Sequence, residues 1–529
     1  MIIAQSYIFS PGPAGTGTIT LPATLKLEDF GEIINVTRGT ILYTPADGSF
    51  GATVTTSGGN TILTLEQTTS YCLATDRLQI SILQGEGGVA ATEVTVVNTP
   101  LNPVNITGQV SVSGGSVELG SMGPELTDGF GRLRVSEPFN LFSSSHRYRD
   151  NGKWATLTAN GGSTEFSANE GLINLSVTTA SGSKAVRESY RIFPYQPGKG
   201  LLVKNTFTMD VAKTNLQQRA GYYNDYNGLF IEKGGTPQSL CFVKRSYVTG
   251  TVVDTKISRL GGVYGAGDTG WNYDKLDGNG PSGIILDSDK SQILFIDLEW
   301  LGVGTVCMCF MINRKFVICH MFQHANLILG TYMTTACLPV RYEIENLGVT
   351  ASASTLKQVC STVESEGGFE LSGDSFSAET PLLSPRVLTL ADTYYPVIAL
   401  RLKSARLDSI AILSQLALAG VGNNSLYRWK LFYNPTIAGG SWVSAGDDSC
   451  MDYNITATSL TGGRAVSTGF TISSNQSSSP TDLTKSSMLS YQFDRDGLSG
   501  TPRPLVLAVA GATASQSIHA SLDWEEVIN

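Results

Sequence analysis

Short runs of β-branched and aromatic residues, broken every few positions by Gly, Asn or Asp, extend along nearly all of a 529-residue chain, and no stretch sustains apolar residues at helical spacing. Period-two alternation builds half-buried strands, and the breaks carry turn chemistry. The early runs are Ile33–Val36, Thr40–Tyr43, Thr61–Leu65 and Leu78–Ile82, separated by Arg38-Gly39, Asp47-Gly48 and Ser57-Gly58-Gly59-Asn60. Further on, Thr305–Ile312 and Phe316–His320 flank the turn Asn313-Arg314-Lys315 as a hairpin. Near the C-terminus the strongest runs are Pro396–Leu402, Leu426–Tyr433, Leu505–Val509 and Ser517–Leu522. Leu356–Glu364, the one stretch that tempts a helical reading, is as rich in Val, Thr and Cys as a strand and is assigned as one. The absence of a heptad seam, a Gly-x-y run or a 20–50-residue repeat disfavours coiled-coil, collagen and β-helix shafts.

The expected fold class is all-β: several β-sandwich or jelly-roll-like domains joined by Pro/Gly-rich linkers. A small N-terminal β domain covers 1–83, an extended linker or arm 84–125, a central β-sandwich 126–370, a linker 371–384, and a C-terminal β-sandwich 385–529. The arm holds Gly85-Glu86-Gly87-Gly88, two prolines at 100 and 103, and Ser113-Gly114-Gly115-Ser116. Its strand-forming pieces, Glu93–Val97 and Gln109–Val112, have little to bury them. Unpaired edges seek partners, so these are expected to pair between subunits of a closed homo-oligomer.

Composition narrows the function. Charged residues are only 15% of the chain against ~25% in an ordinary soluble domain, and there are 57 glycines. The net charge is −9, and no Lys/Arg block is longer than Lys244-Arg245, which argues against nucleic acid as a partner. No apolar run approaches the ~18–20 residues of a membrane span. Met1–Ser10 lacks the basic and apolar regions of a secretory signal, so synthesis in a reducing cytoplasm is expected. Eight cysteines without a C-x-x-C pair read as reduced, buried thiols, four histidines are a thin supply of general bases, and no nucleotide-binding motif occurs. No cofactor is expected.

Four constellations invite chemistry. Asp297 and Glu299, two apart on a strand, place both carboxylates on one side, as a glycan depolymerase would need for nucleophile and general acid. Positions 301 and 303 are Leu and Val, so the strand supplies no third acid there. The plainer reading is an exposed strand face with Leu298 and Trp300 on the buried side, or a structural ion pair. Cys307, Cys309, Cys319, His320 and His324 form a thiol and imidazole set of the kind zinc takes, but adjacent Cys319 and His320 should point to opposite faces of a strand. Buried thiols in a core hairpin are the simpler reading. Asp274, Asp277, Asn279, Asp287 and Asp289 gather oxygen ligands for calcium around a Gly-rich loop, yet Pro281 breaks the EF-hand order, and Asx turns explain the same residues. Tyr427, Trp429, Leu431 and Tyr433 share one strand face that could stack on sugars but reads first as core.

At Asp128-Gly129-Phe130-Gly131-Arg132-Leu133-Arg134-Val135-Ser136-Glu137-Pro138 the chain resembles a segment that recurs in structural proteins of tailed bacteriophages, particularly marine and cyanobacterial ones. Tyr195–Lys199, Asp225–Phe230, Trp271–Gly278, Phe295–Gly304 and Leu338–Ile344 resemble the same group, so the likeness spans about 127–368. It carries no catalytic motif. It implies a virion component made in the host cytoplasm and displayed on the virion surface. The forms in view are a homotrimeric fibre, spike or baseplate-associated appendage, or alternatively a capsid decoration or head-fibre protein. Other phage virion proteins and a host surface glycan are the implied partners, with no enzymatic role. The rival class is the depolymerase built on Asp297 and Glu299.

Overall fold

The computed structural model describes residues 2–3, 7–46, 48–82, 138–235, 238–422, 424–473, 481–482, 489 and 491–528, and among these no α-helix occurs. The arm 84–125, its strand-forming pieces and residues 128–137 lie outside the described residues. The chain divides into two compact units, Met1–Thr107 and Gly108–Asn529.

The first unit holds two four-stranded antiparallel sheets. One runs Ile2–Ile3, Leu78–Ile82, Phe30–Asn35, Thr40–Tyr43, and the other Ile8–Ser10, Gly17–Leu21, Asn60–Leu65, Ala52–Ser57. Alternate residues point inward, and Phe9, Ile19, Phe30, Ile33, Leu63 and Ile80 meet between the sheets. Ser57 pairs with Asn60, which leaves Gly58 and Gly59 as a two-residue turn at φ 59° and 81°. Such a turn matches the right-handed strand twist, and glycine adopts it without Cβ strain.

The second unit contains two further sandwiches. In the first, a seven-stranded sheet runs Trp154–Ala159, Lys184–Ser189, Val340–Asn346, Leu216–Tyr223, Gly228–Gly235, Gln238–Ser246, Val253–Ser258. It faces an eight-stranded sheet whose path is Ser163–Ser167, Leu172–Val177, Ser354–Glu366, Gly200–Thr208, Ser291–Leu298, Val306–Ile312, Lys315–Phe322, with Phe139–Ser145 also pairing Ser354–Glu366. The expected strand at Leu356–Glu364 is thus real and longer. Phe207, Leu229, Ile231, Phe242, Leu294, Ile296, Met308 and Phe310 fill the space between the sheets, each burial contributing ~1.5–3 kcal/mol. The Tyr342 hydroxyl spans that core to the Ser361 hydroxyl at 2.7 Å and donates to Asn205 Oδ1 at 3.2 Å, tying the sheets together.

The C-terminal sandwich pairs a six-stranded sheet (Val443–Ser444, Met451–Asn454, Tyr395–Leu402, Leu505–Gly511, Leu426–Tyr433, Arg464–Ile472) with a second sheet ordered Asp374–Glu379, Gln516–Ile528, Ile410–Val421, Thr481–Asp482. Three expectations need correction. The stretch 371–384, read as linker, contributes the strand Asp374–Glu379, because Phe376 packs on Trp524 with ring centroids 6.3 Å apart. The hairpin turn has two residues, not three: Ile312 pairs Lys315, with Asn313 and Arg314 at φ 51° and 64°. A bulge at Cys319 shifts the register so that Cys309 faces Ile318 while Met308 faces His320, which puts Cys319 and His320 both toward the core side.

Candidate functional site: two clefts along the seam between the sandwiches

The structure places each sequence candidate. Asp297 and Glu299 are not on an exposed face; they are 4% and 2% accessible, which corrects that expectation. Asp297 sits opposite Leu202 and Cys307, and Glu299 follows the strand end, its amide donating to the Thr305 carbonyl at 3.4 Å. A third buried carboxylate, Glu366, lies across Gly200 from Glu299, a neighbour that sequence spacing could not reveal. Phe295, two residues before Asp297, packs edge-on against Phe316 at 5.4 Å.

The thiol and imidazole set is not assembled. Cys319 belongs to the core cluster, and His320 Nδ1 accepts from the Asn272 amide at 3.3 Å. His324 stacks on Tyr332 at 3.9 Å, with Nδ1 2.7 Å from the Gly304 carbonyl and Nε2 2.9 Å from Lys244 Nζ. That pairing requires the neutral ring, with Nδ1–H donating to the carbonyl and Nε2 accepting from the ammonium. Burial, then the Lys244 charge, outweigh the Gly304 bond and hold His324 at about 4. The Asp274–Asp289 loop spends its carboxylates on its own backbone. Asp274 accepts from the Leu276 and Ser282 amides at 2.8 Å each, Asp277 from Asn279 at 2.9 Å and Asp287 from Asp289 at 3.0 Å, while Asp289 takes Lys233. These are Asx turns. Among the described residues no group of three or more His, Cys, Asp or Glu is placed to hold a metal ion. Tyr427, Trp429 and Leu431 are core, whereas Tyr433 is only partly buried.

The outer face of the seven-stranded sheet carries a ladder of opposite charges. Glu188 pairs in register with Arg341, and Val186, Glu343, Arg219 and Glu232 form the next row. Arg341 lies 2.9 Å from Glu343, Arg219 2.8 Å from Glu232, and Lys256 2.6 Å from Glu232. Their guanidinium planes rest on aromatic rings, Arg341 over Tyr223 at 5.4 Å and Arg219 over Phe230 at 5.7 Å. Burial pushes Glu343 up, but Arg341, Arg219 and Lys184 overcome it and hold the carboxyl at about 2.

Residues around Gln492 and Arg495, together with the start of the strand Ile410–Val421, join the two sandwiches of the second unit. Leu489, Ile410 and Ile412 insert into the central core. Gln492 Nε2 donates to the Ile192 carbonyl at 2.8 Å, and Arg495 donates through its amide to Tyr190 O at 3.2 Å and through Nη1 to Ser189 O at 3.1 Å. Adjacent residues of the strand Asp494–Asp496 then face different clefts. Arg495 lines a cleft of about 1120 Å³ together with Glu188, Asp225, Asp374, Asp408 and Arg406. Three of its acidic groups are engaged: Arg495 reaches Glu188 at 2.9 Å and Asp408 at 3.1 Å, and Arg341 reaches Asp225 at 2.7 Å.

Asp494 lines a second cleft of about 490 Å³ with Lys153, Arg191, Arg464, Tyr190, Tyr433 and Asn140. The Tyr433 hydroxyl donates to Asp494, and the Arg503 guanidinium carbon lies 3.4 Å from the Tyr190 ring centre and 4.8 Å from that of Tyr433. Burial pushes the Asp494 carboxyl up, against the pull of Arg503 and Tyr433. Neither cleft is lined by Asp297 or Glu299. Sequence reading missed both clefts. The one available signal was Asp494-Arg495-Asp496, three consecutive charges in a charge-poor chain.

No protein-family model matches the chain, and no curated protein matches it. Among solved structures, a Bacillus licheniformis β-glucanase shares 10% identity over 42% of this chain and 97% of its own, with a TM-score of 0.28. A legume lectin-like domain from Entamoeba histolytica shares 11% over 42% and 95%, at 0.26, and a putative β-glucanase from Mycobacterium abscessus 7% over 42% and 99%, at 0.29. The chain itself is an all-β protein of stacked antiparallel sheets.

Proposed function

We propose that this chain is a non-enzymatic structural component of a tailed-bacteriophage particle, displayed on the virion surface as a fibre, spike or baseplate-associated appendage. The observation that carries the reading is the seam between the sandwiches. A buried strand with backbone and side-chain bonds to both bodies, flanked by the Glu188–Arg495 pair, suits a body that must keep its shape outside a cell. Support also comes from Asp297 and Glu299, which are packed away from both clefts. The sequence likeness over 127–368 points the same way. The subunits form a homotrimer, and the N-terminal unit docks on the particle.

Antibodies against residues 138–528 should decorate intact particles at a fixed position, and a chain of residues 126–529 should fold but fail to join particles. Undecorated particles that contain no chain would overturn the reading; incorporation of the shortened chain would overturn the docking role alone. Light scattering should return three times the 56.3 kDa chain mass, and a monomer at micromolar concentration would contradict the trimer.

A further inference from the structure

The smaller cleft differs in character from the rest of the molecule. In a chain of net charge −9, it gathers Lys153, Arg191 and Arg464. Among the described residues neither Lys153 nor Arg464 has an ion-pair partner: Lys153 Nζ donates to the Ser143 carbonyl and lies 5.4 Å from the Phe142 ring, and Arg464 lies 5.4 Å over the Tyr433 ring. Over the seven-stranded sheet, by contrast, the cations are spent on carboxylates. The one acid that lines the cleft, Asp494, is occupied by Tyr433 and lies 3.7 Å from Arg503. The unspent charge in the cleft is therefore positive. Burial, and then the neighbouring Arg191 and Arg464 charges, push the Lys153 ammonium down, as expected of cations that share one field.

The walls narrow the ligand further. Tyr190 and Tyr433 are partly accessible rings, Tyr190 with one face already covered by the Arg503 guanidinium, and the exposed Asn140 amide offers both a donor and an acceptor. Flat apolar plates beside hydrogen-bonding groups suit a ring that carries hydroxyls. A volume of about 490 Å³ falls within the ~300–1,000 Å³ of small-molecule sites. We propose that this cleft binds an anionic glycan, with a carboxylate-bearing pyranose ring laid against Tyr190 and Tyr433 and its charge met by Lys153 and Arg464. A guanidinium matches a carboxylate in two-point fashion, so Arg464 at the rim is the residue that would fix the ring's orientation.

The test is calorimetric titration of the full-length protein at low salt with trigalacturonate, its fully methyl-esterified form and inorganic phosphate. The expected result is binding of trigalacturonate, at least tenfold weaker for the ester and for phosphate, and at least tenfold weaker in Arg464→Gln and in Lys153→Ala. Arg464 is exposed on an edge strand, so its substitution leaves the fold in place even if Lys153→Ala does not. Absence of trigalacturonate binding, equal binding of the ester, or unchanged affinity in Arg464→Gln would overturn the site. Phosphate binding as tightly as trigalacturonate would overturn the sugar assignment. The titration reads no property of a particle, so its failure leaves the structural role of the chain standing.

Discussion

Arg495 Nη1 lies 2.9 Å from Glu188 Oε1, a contact between the C-terminal and the central sandwich in which both side chains are only 3% accessible. Gly497 stands directly against this pair. It sits so close that a Cβ there would collide with the Glu188 carboxylate and with the Arg495 guanidinium, 2.6 Å from its carbon. Breaking a buried pair by removing one partner costs about 3–5 kcal/mol, because the remaining charge stays desolvated. Arg495→Ala should therefore lower the urea midpoint by a corresponding amount and split a single transition into two as the sandwiches come apart. Gly497→Ala should act in the same direction. A single transition with an unchanged midpoint in both variants would show that the seam does not couple the sandwiches.

Stability should fall in acid over two overlapping windows. His146, His320 and His324 are each held at about 4 against 6.5 when exposed, with burial as the leading cause. The unfolded chain takes up protons first as pH drops, so stability is lost between about 6.5 and 4. Glu343, at about 2 against an ordinary 4.5, adds a further loss as pH falls from about 4.5 toward 2. Linkage makes the effect of each such group about 3 kcal/mol when its whole window is crossed. Thermal melting from pH 7.5 to 3 checks it, and replacing His146 with Gln should flatten the upper part of the curve. A melting temperature constant from pH 7 to 4 would contradict the neutral, buried histidines.

The hairpin turn at Asn313-Arg314 carries a residue strained by its backbone. Arg314 sits at φ 64° in an exposed two-residue turn, where a side chain costs ~1–2 kcal/mol and glycine does not. Arg314→Gly should raise stability by roughly 1 kcal/mol, after the extra chain entropy that glycine loses on folding. Equilibrium denaturation measures this, and a destabilised variant would mean that the arginine makes a contact worth more than the strain.

Much of the architecture was legible because period-two alternation survives wherever one face of a strand is buried. Thr40–Tyr43, Leu78–Ile82 and Leu426–Tyr433 keep their bounds from sequence to structure. The bulge at Cys319 was not legible, since one extra residue changes the register without changing composition. Alternation alone does not tell a solvent face from a covered one. Arg341, Glu343 and Glu345 alternate with Tyr342 and Ile344, yet Arg341 and Glu343 are buried, with the Arg341 guanidinium over the Tyr223 ring of the neighbouring strand. Both clefts escaped notice for a different reason. Tyr190 and Asp494 meet only through tertiary packing, and nothing local marks such a pair.

The carboxylate pair separates scaffold from depolymerase. If the protein is structural, wild type releases no reducing ends from host polysaccharide, and Glu299→Gln costs about 1–3 kcal/mol of stability, as befits a side chain that is 2% accessible. Reducing-sugar assays and denaturation measure the two effects separately. Hydrolysis by wild type that disappears in Glu299→Gln would overturn the non-enzymatic reading.

The most direct test of a particle role is to count chains in particles. Quantitative mass spectrometry of gradient-purified virions should find this chain at a fixed ratio to the major capsid protein, in a copy number divisible by three. Its absence from purified particles, or its presence at less than one copy per particle while abundant in the lysate, would contradict the account.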